Sequence, residues 1–186
     1  MLKKVKQAWD PNNIFNPGKI VDTAPMDTSL RYEKNQQTPE YETMLDFSRD
    51  EGIVRSAELC NGSGDCRKSE LTGGTMCPSY QATRDEKDTT RARANILREM
   101  LTRSKRANPF AQHEIKEVMD LCLSCKGCKS ECPSNVDMGK LKAEWQYQSM
   151  KETGVSFRTN MIANYAKSMK QFEMAPWAFN LMRNLS

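Results

Sequence analysis

The sequence predicts a mainly α protein, with a short β hairpin at most, organised around metal in the middle of the chain. Three observations carry this. Apolar residues recur at helical spacing in several segments, and seven cysteines fall into two groups with short internal spacings. Apolar content is low, 38% of 186 residues with a mean hydropathy of −0.76, and a modest core is commonly supplemented by metals or disulfides.

The odd cysteine count argues against a disulfide framework. The opening MLKKVKQAWD lacks the apolar run of a secretory signal, so a reducing, cytoplasmic setting is expected. No segment approaches the roughly 18 consecutive apolar residues of a bilayer span, which leaves only peripheral membrane contact. The net charge of +4 is uneven: residues 1–59 are acidic on balance, and the stretch from Arg84 to Arg106 is basic. That stretch reads as a solvated helix face or as charge offsetting thiolate-bound iron. No nucleic-acid motif accompanies it, so no nucleic-acid partner is expected.

Along the chain, Leu2, Val5 and Trp9 share one helical face, and the helix stops at Asp10-Pro11 because proline disfavours helical geometry in its predecessor. Pro17-Gly18 then turns the chain before Ile20-Val21. Residues 22–42 have linker composition, Met44 to Phe47 suit a short strand, and Ile53 to Cys60 suit one or two helical turns. Asp88, Thr89 and Thr90 offer N-caps for a helix through Arg103, with Ala94, Leu97, Met100 and Leu101 on its buried face. A helix over Gln112 to Cys122 puts Ile115, Val118, Met119 and Cys122 on one stripe.

Met138 to about Thr153 forms a further helix with Leu141, Trp145 and Gln148 on one side and Gly154 closing it. Met161, Ile162, Tyr165, Met169 and Phe172 make a last full stripe. Pro176 opens another helix carrying Trp177, Leu181 and Leu185. These final residues suit either core packing or a docking surface.

The cysteines carry the chemistry. Cys122, Cys125, Cys128 and Cys132-Pro133 follow the bacterial ferredoxin run C-x2-C-x2-C-x3-C-P. The close triplet converges on one cubane, with Gly127 letting the backbone wrap tightly. The fourth cysteine is expected to begin a helix and to ligate the other cluster. Cys60, Ser63, Cys66 and Cys77-Pro78 repeat the layout with Ser63 in place of the middle cysteine. Crossed ligation then gives Cys77, Cys122, Cys125 and Cys128 to one [4Fe-4S] cluster. Cys60, Cys66 and Cys132 hold a second, either [4Fe-4S] or [3Fe-4S], with Ser63 as a weak fourth donor.

Tetrathiolate zinc is the alternative, but zinc sites pair short ligand knuckles and do not use triplet-plus-CP units. The lone His113 falls on a polar helix side and is not expected to bind metal. No Ser/His/Asp set, phosphate loop or paired carboxylates stand out, so no catalytic residue is assigned. Lys126, Lys129, Arg67 and Lys68 are candidates for tuning charge near the sulfurs.

The segments AELCNGSGDCR, MCPSYQATRDE, RARANIL and LCLSCKGCKSECPSNVDMGKLKAE resemble the iron-sulfur part of large bacterial FAD-linked oxidoreductases of the D-lactate and D-2-hydroxyglutarate dehydrogenase type. AWDPNNIFNPGKI is similar to the last helix and strand of the flavin-binding oxidase domain in that family. The resemblance implies an upstream flavin domain holding FAD, a downstream acceptor domain or protein, and single-electron transfer between them. It gives a remnant of the oxidase domain at 1–22, a linker at 23–52, an all-α two-cluster ferredoxin-like domain at 53–153 and a helical linker at 154–186. A free-standing electron-transfer subunit and a metal-stapled scaffold without redox function are the rival readings.

Overall fold

In the computed structural model, which describes residues 1–30, 32, 35–173, 176, 177 and 180, the chain divides into two units, 1–37 and 38–186. The first contains helix α1, Leu2–Trp9. Asp10 ends it. Its carboxylate pairs with Lys6 and accepts the backbone N–H groups of Ile14 and Phe15, each at 2.9 Å.

The expected strand after α1 does not form. Asp10 takes the N–H groups that a strand partner needs, and Asn13, Asn16 and Asp22 adopt positive φ, which breaks an extended run. The hydrogen bond from Lys6, helped by those from Ile14 and Phe15, holds the Asp10 carboxyl below the usual carboxylate range. A carboxyl lowered on folding stabilises above its unfolded pKa, and the contribution is lost as pH falls through the folded value. The amide NMR signals of Ile14 and Phe15 are therefore expected to hold steady down to about pH 4 and to shift only below it. An ordinary Asp10 midpoint would remove the cap from this account.

In the second unit, α2 (Ile53–Glu58), α4 (Thr90–Arg103), α5 (His113–Asp120) and α7 (Met138–Thr153) enclose the core. Helix α4 is central and packs on the other three. Ile53, Val54 and Ala57 of α2, Ala94, Leu97 and Leu101 of α4, Ile115, Val118 and Met119 of α5, and Leu141 and Trp145 of α7 belong to one buried core. Thr89 caps α4 by accepting the Ala92 N–H. Two short helices, α3 (Pro78–Thr83) and α6 (Gly127–Glu131), lie in the cysteine segments.

No strand occurs among the described residues, so Met44 to Phe47 is a correction. The N–H groups of Met44 and Leu45 donate at 3.1 and 2.9 Å to the Glu144 carboxylate on α7, and no neighbouring strand is needed. Gln148 Nε2 donates to the same carboxylate at 2.7 Å and to the Glu42 carbonyl at 2.8 Å. Glu144 is fully buried. Replacing it by alanine strands these donors, and Glu144→Ala is expected to cost about 3 kcal/mol in chemical denaturation. A loss under about 0.5 kcal/mol, the usual range for surface changes, would contradict this.

Three more expectations change. Helix α5 stops at Asp120, so Cys122 lies in the following loop and does not continue the apolar stripe. Cys132 caps the C-terminal end of α6 and does not begin a helix, whereas Cys77 does precede one, with Pro78 at its first position. The stripe from Met161 is split at Asn164 into α8 (Phe157–Ala163) and α9 (Tyr165–Glu173). Met161, Ile162, Tyr165 and Trp177 are exposed. The Phe172 side chain, Leu181 and Leu185 lie outside the described residues.

Candidate metal centres

Cys60 follows the last turn of α2, and the chain then loops through Gly62 and Gly64, both at positive φ. The Ser63 N–H donates to the Asn61 side chain at 3.0 Å inside this loop. A single 3-10 turn, Asp65–Arg67, buries Cys66. In the other group Ser124 and Lys126 take positive φ, which folds the Cys122–Cys128 loop back on itself. Gly127 has a packing reason: a Cβ there would lie 2.8 Å from Thr75 Oγ1.

Glu131 joins the two groups. It accepts from the Thr75 N–H at 2.6 Å, the Thr75 hydroxyl at 2.7 Å and the Met76 N–H at 3.1 Å. Cys77 is thereby held beside the second group although it lies 45 positions before Cys122 in sequence.

The result is two cavities. One is lined by Cys77, Cys122, Cys125 and Cys128, with Thr90 and Arg93 among the other walls. The second is lined by Cys60, Cys66 and Cys132 together with Ser63 and Asp65. Thr90 belongs to both linings, so the cavities are neighbours across the first turn of α4. No disulfide joins any of the seven cysteines.

Among the described residues, no three His, Cys, Asp or Glu side chains converge as the ligands of one metal ion would. A polynuclear cluster does not ask for that. Each thiolate bonds its own iron, so the sulfurs ring a cavity and need not meet at a point. The four thiols in the lining of the first cavity have the donor chemistry for such a group. His113 is exposed and lines neither cavity.

Each cavity also receives the N-terminus of a long helix. The N–H groups of Met138 and Gly139, in the first turn of α7, point to Cys128. The N–H of Arg91, in the first turn of α4, points to Cys66, joined by the Thr89 hydroxyl. Exposed helix N–H groups favour negative charge. Burial acts in the opposite sense and pushes both thiols up, so ligation by iron must displace their protons.

One buried cation, Arg93, lines the first cavity, and another, Lys142, bonds the backbone beside it. Arg93 Nη1 lies 3.5 Å from Cys77 Sγ, and the Thr90 hydroxyl is 3.3 Å from the same sulfur. Lys142 donates to the carbonyls of Met119 at 2.7 Å and Cys122 at 2.6 Å, tying off α5. Burial lowers its pKa. Of the expected charge carriers, Lys126 lines the first cavity; it and Lys129 pair with Asp137, Arg67 with Glu86 and Lys68 with Asp65. Arg93 was legible only as an arginine set on the apolar stripe of α4, one turn before Leu97.

Residues 59–137, which include all seven cysteines, match the 4Fe-4S dicluster domain family, and residues 1–20 match the C-terminal domain of FAD linked oxidases. By these two matches the chain resembles the iron-sulfur region of FAD-linked oxidoreductases. It is 28% identical to D-2-hydroxyglutarate dehydrogenase of Haemophilus influenzae, over 77% of this chain and 17% of that protein. With D-2-hydroxyglutarate dehydrogenase of Escherichia coli K12 the identity is 25%, over 98% of this chain and 21% of the relative. The glycolate oxidase iron-sulfur subunit of E. coli K12 is 33% identical, over 32% of this chain and 14% of that subunit. The chain thus spans about a fifth of the dehydrogenases it resembles. No solved structure matches it. Among the described residues no helix is long and apolar enough to cross a membrane.

Proposed function

We propose that the dicluster domain passes single electrons from a reduced flavin to an acceptor within an FAD-linked 2-hydroxy acid dehydrogenase. The observation that carries this is the division of the seven cysteines between two adjoining cavities, four in one and three in the other. Iron-sulfur clusters bound there supply reversible one-electron chemistry. Cys77, Cys122, Cys125 and Cys128 hold a [4Fe-4S] cluster. Cys60, Cys66 and Cys132 hold the other, with Ser63 at the vacant fourth position. The chain's own part is to fix the thiolates, direct two helix N-termini at them, and bury Cys66, Cys77 and Cys128 against water.

The partners are a flavin domain and a downstream acceptor domain or protein, in a cytoplasmic setting. A free-standing electron-transfer subunit has one observation in its favour, the similarity to a glycolate oxidase iron-sulfur subunit. The oxidase-domain match at residues 1–20 favours a flavin domain in the same polypeptide. Anaerobic reconstitution tests the proposal: iron and acid-labile sulfide in equal amounts, with visible absorption that dithionite bleaches reversibly. Zinc without sulfide, or colour that dithionite leaves unchanged, would overturn it.

A further inference from the structure

We propose that Arg93 sets the reduction potential of the four-cysteine centre, raising it through a buried cation held against the Cys77 sulfur. The inference rests on the iron-sulfur reading above and concerns a residue outside the cysteine motifs.

Arg93 is only 1% exposed, and a guanidinium keeps its charge under any condition in which the protein is folded. Every arm of the fork is placed. Nε donates to the Val118 carbonyl at 2.6 Å, and Nη1 donates to the Asp88 carbonyl at 2.5 Å while lying 3.5 Å from Cys77 Sγ. Nη2 faces the Asp88 carboxylate at 3.5 Å. Asp88 is also 1% exposed and is fixed in turn by the Thr83 hydroxyl at 2.7 Å. The cation therefore stands between a buried carboxylate on one side and the sulfur on the other.

A cluster gains one negative charge on reduction. A fixed positive charge a few ångströms from a ligand sulfur, shielded from water, stabilises the reduced form more than the oxidised form and moves the potential upward. Asp88 opposes this by partly neutralising the guanidinium. The second cavity has no equivalent. Arg91, which lines it, commits Nε and Nη2 to Glu86 Oε1 at 2.8 and 2.6 Å and is more exposed, at 28% of its side chain. The effect should belong to one centre.

Anaerobic redox titration of the whole reconstituted chain, followed by EPR, tests this in wild type, Arg93→Gln, Arg93→Lys and Asp88→Asn. The potential of the four-cysteine cluster is expected to fall in Arg93→Gln, to fall less in Arg93→Lys, and to rise in Asp88→Asn. The other cluster should stay within error of wild type. A merely structural Arg93 would change cluster content or stability without opposite shifts in the two charge variants. Should Arg93→Gln fail to assemble, Asp88→Asn decides, since it keeps the cation and removes its counter-charge. An unchanged or lowered potential there overturns the proposal. Wild type that takes up no iron and sulfide overturns instead the cluster assignment beneath it.

Discussion

Cys125→Ala is expected to abolish the four-cysteine cluster and to unfold the cysteine-bearing middle of the domain. Cys125 is exposed, whereas Cys77 and Cys128 in the same cavity are buried. Its truncation removes a ligand without opening a hole in the core, so the loss reports on metal binding and not on packing. In small metal-dependent domains the binding free energy, of order 10 kcal/mol, is folding free energy, and it rivals the entire stability of a domain, about 5–15 kcal/mol. Besides the Lys142 bond to the Cys122 carbonyl and the Lys126–Asp137 pair, the loop is weakly anchored: Ser124 and Lys126 occupy left-handed backbone, and Leu121 and Leu123 are exposed. Iron and sulfide content should fall to that of one cluster or none, and far-UV helicity should drop with it. Retention of both clusters and native helicity would show that Cys125 has been grouped wrongly.

The second large effect is expected at Ser63, this time as a gain. Ser63 lines the second cavity with Cys60, Cys66 and Cys132, between two glycines that adopt positive φ. Serine oxygen is a hard, strongly basic donor and competes poorly with thiolate for iron. The fourth iron at this centre is therefore expected to be labile, held in the reduced protein and lost in air to leave [3Fe-4S]. Ser63→Cys supplies the missing thiolate from the same backbone position. Air-exposed wild type should show the EPR signal of an oxidised [3Fe-4S] cluster. The variant should lack that signal and retain more iron. Full iron content in air-exposed wild type, with no such signal, would mean that Ser63 is not the weak point.

Local order alone made several elements legible. Helix α7 was readable to its ends because the Leu141, Trp145, Gln148 side and Gly154 are written within one segment, and helix α4 because Thr89 caps it directly ahead of its apolar face. Elements that depend on distant partners were not readable. Met44 and Leu45 looked like a strand, but their backbone donors go to a carboxylate about a hundred positions away. Cys122 fitted the helical stripe of Ile115 and Met119, yet Leu121 is exposed and the helix has already ended.

The same division holds at the metal centres. By itself the sequence determined that seven cysteines stand in two ferredoxin-like groups, that one group has serine in place of a ligand, and that helices flank both. Those facts are spacings and residue types, which the chain states locally. The ferredoxin spacing also led to the crossed grouping of the thiols as an expectation, but the tertiary structure alone shows what brings Cys77 across: Glu131 holds Thr75 and Met76 against the second group. The tertiary structure alone decided that Thr90 lies between the cavities, and that Arg93, one of many arginines in a basic stretch, faces a sulfur. Burial and direction of a side chain arise from the packing of helices distant in sequence. That is why the ligand types were plain beforehand and the charge that surrounds them was not.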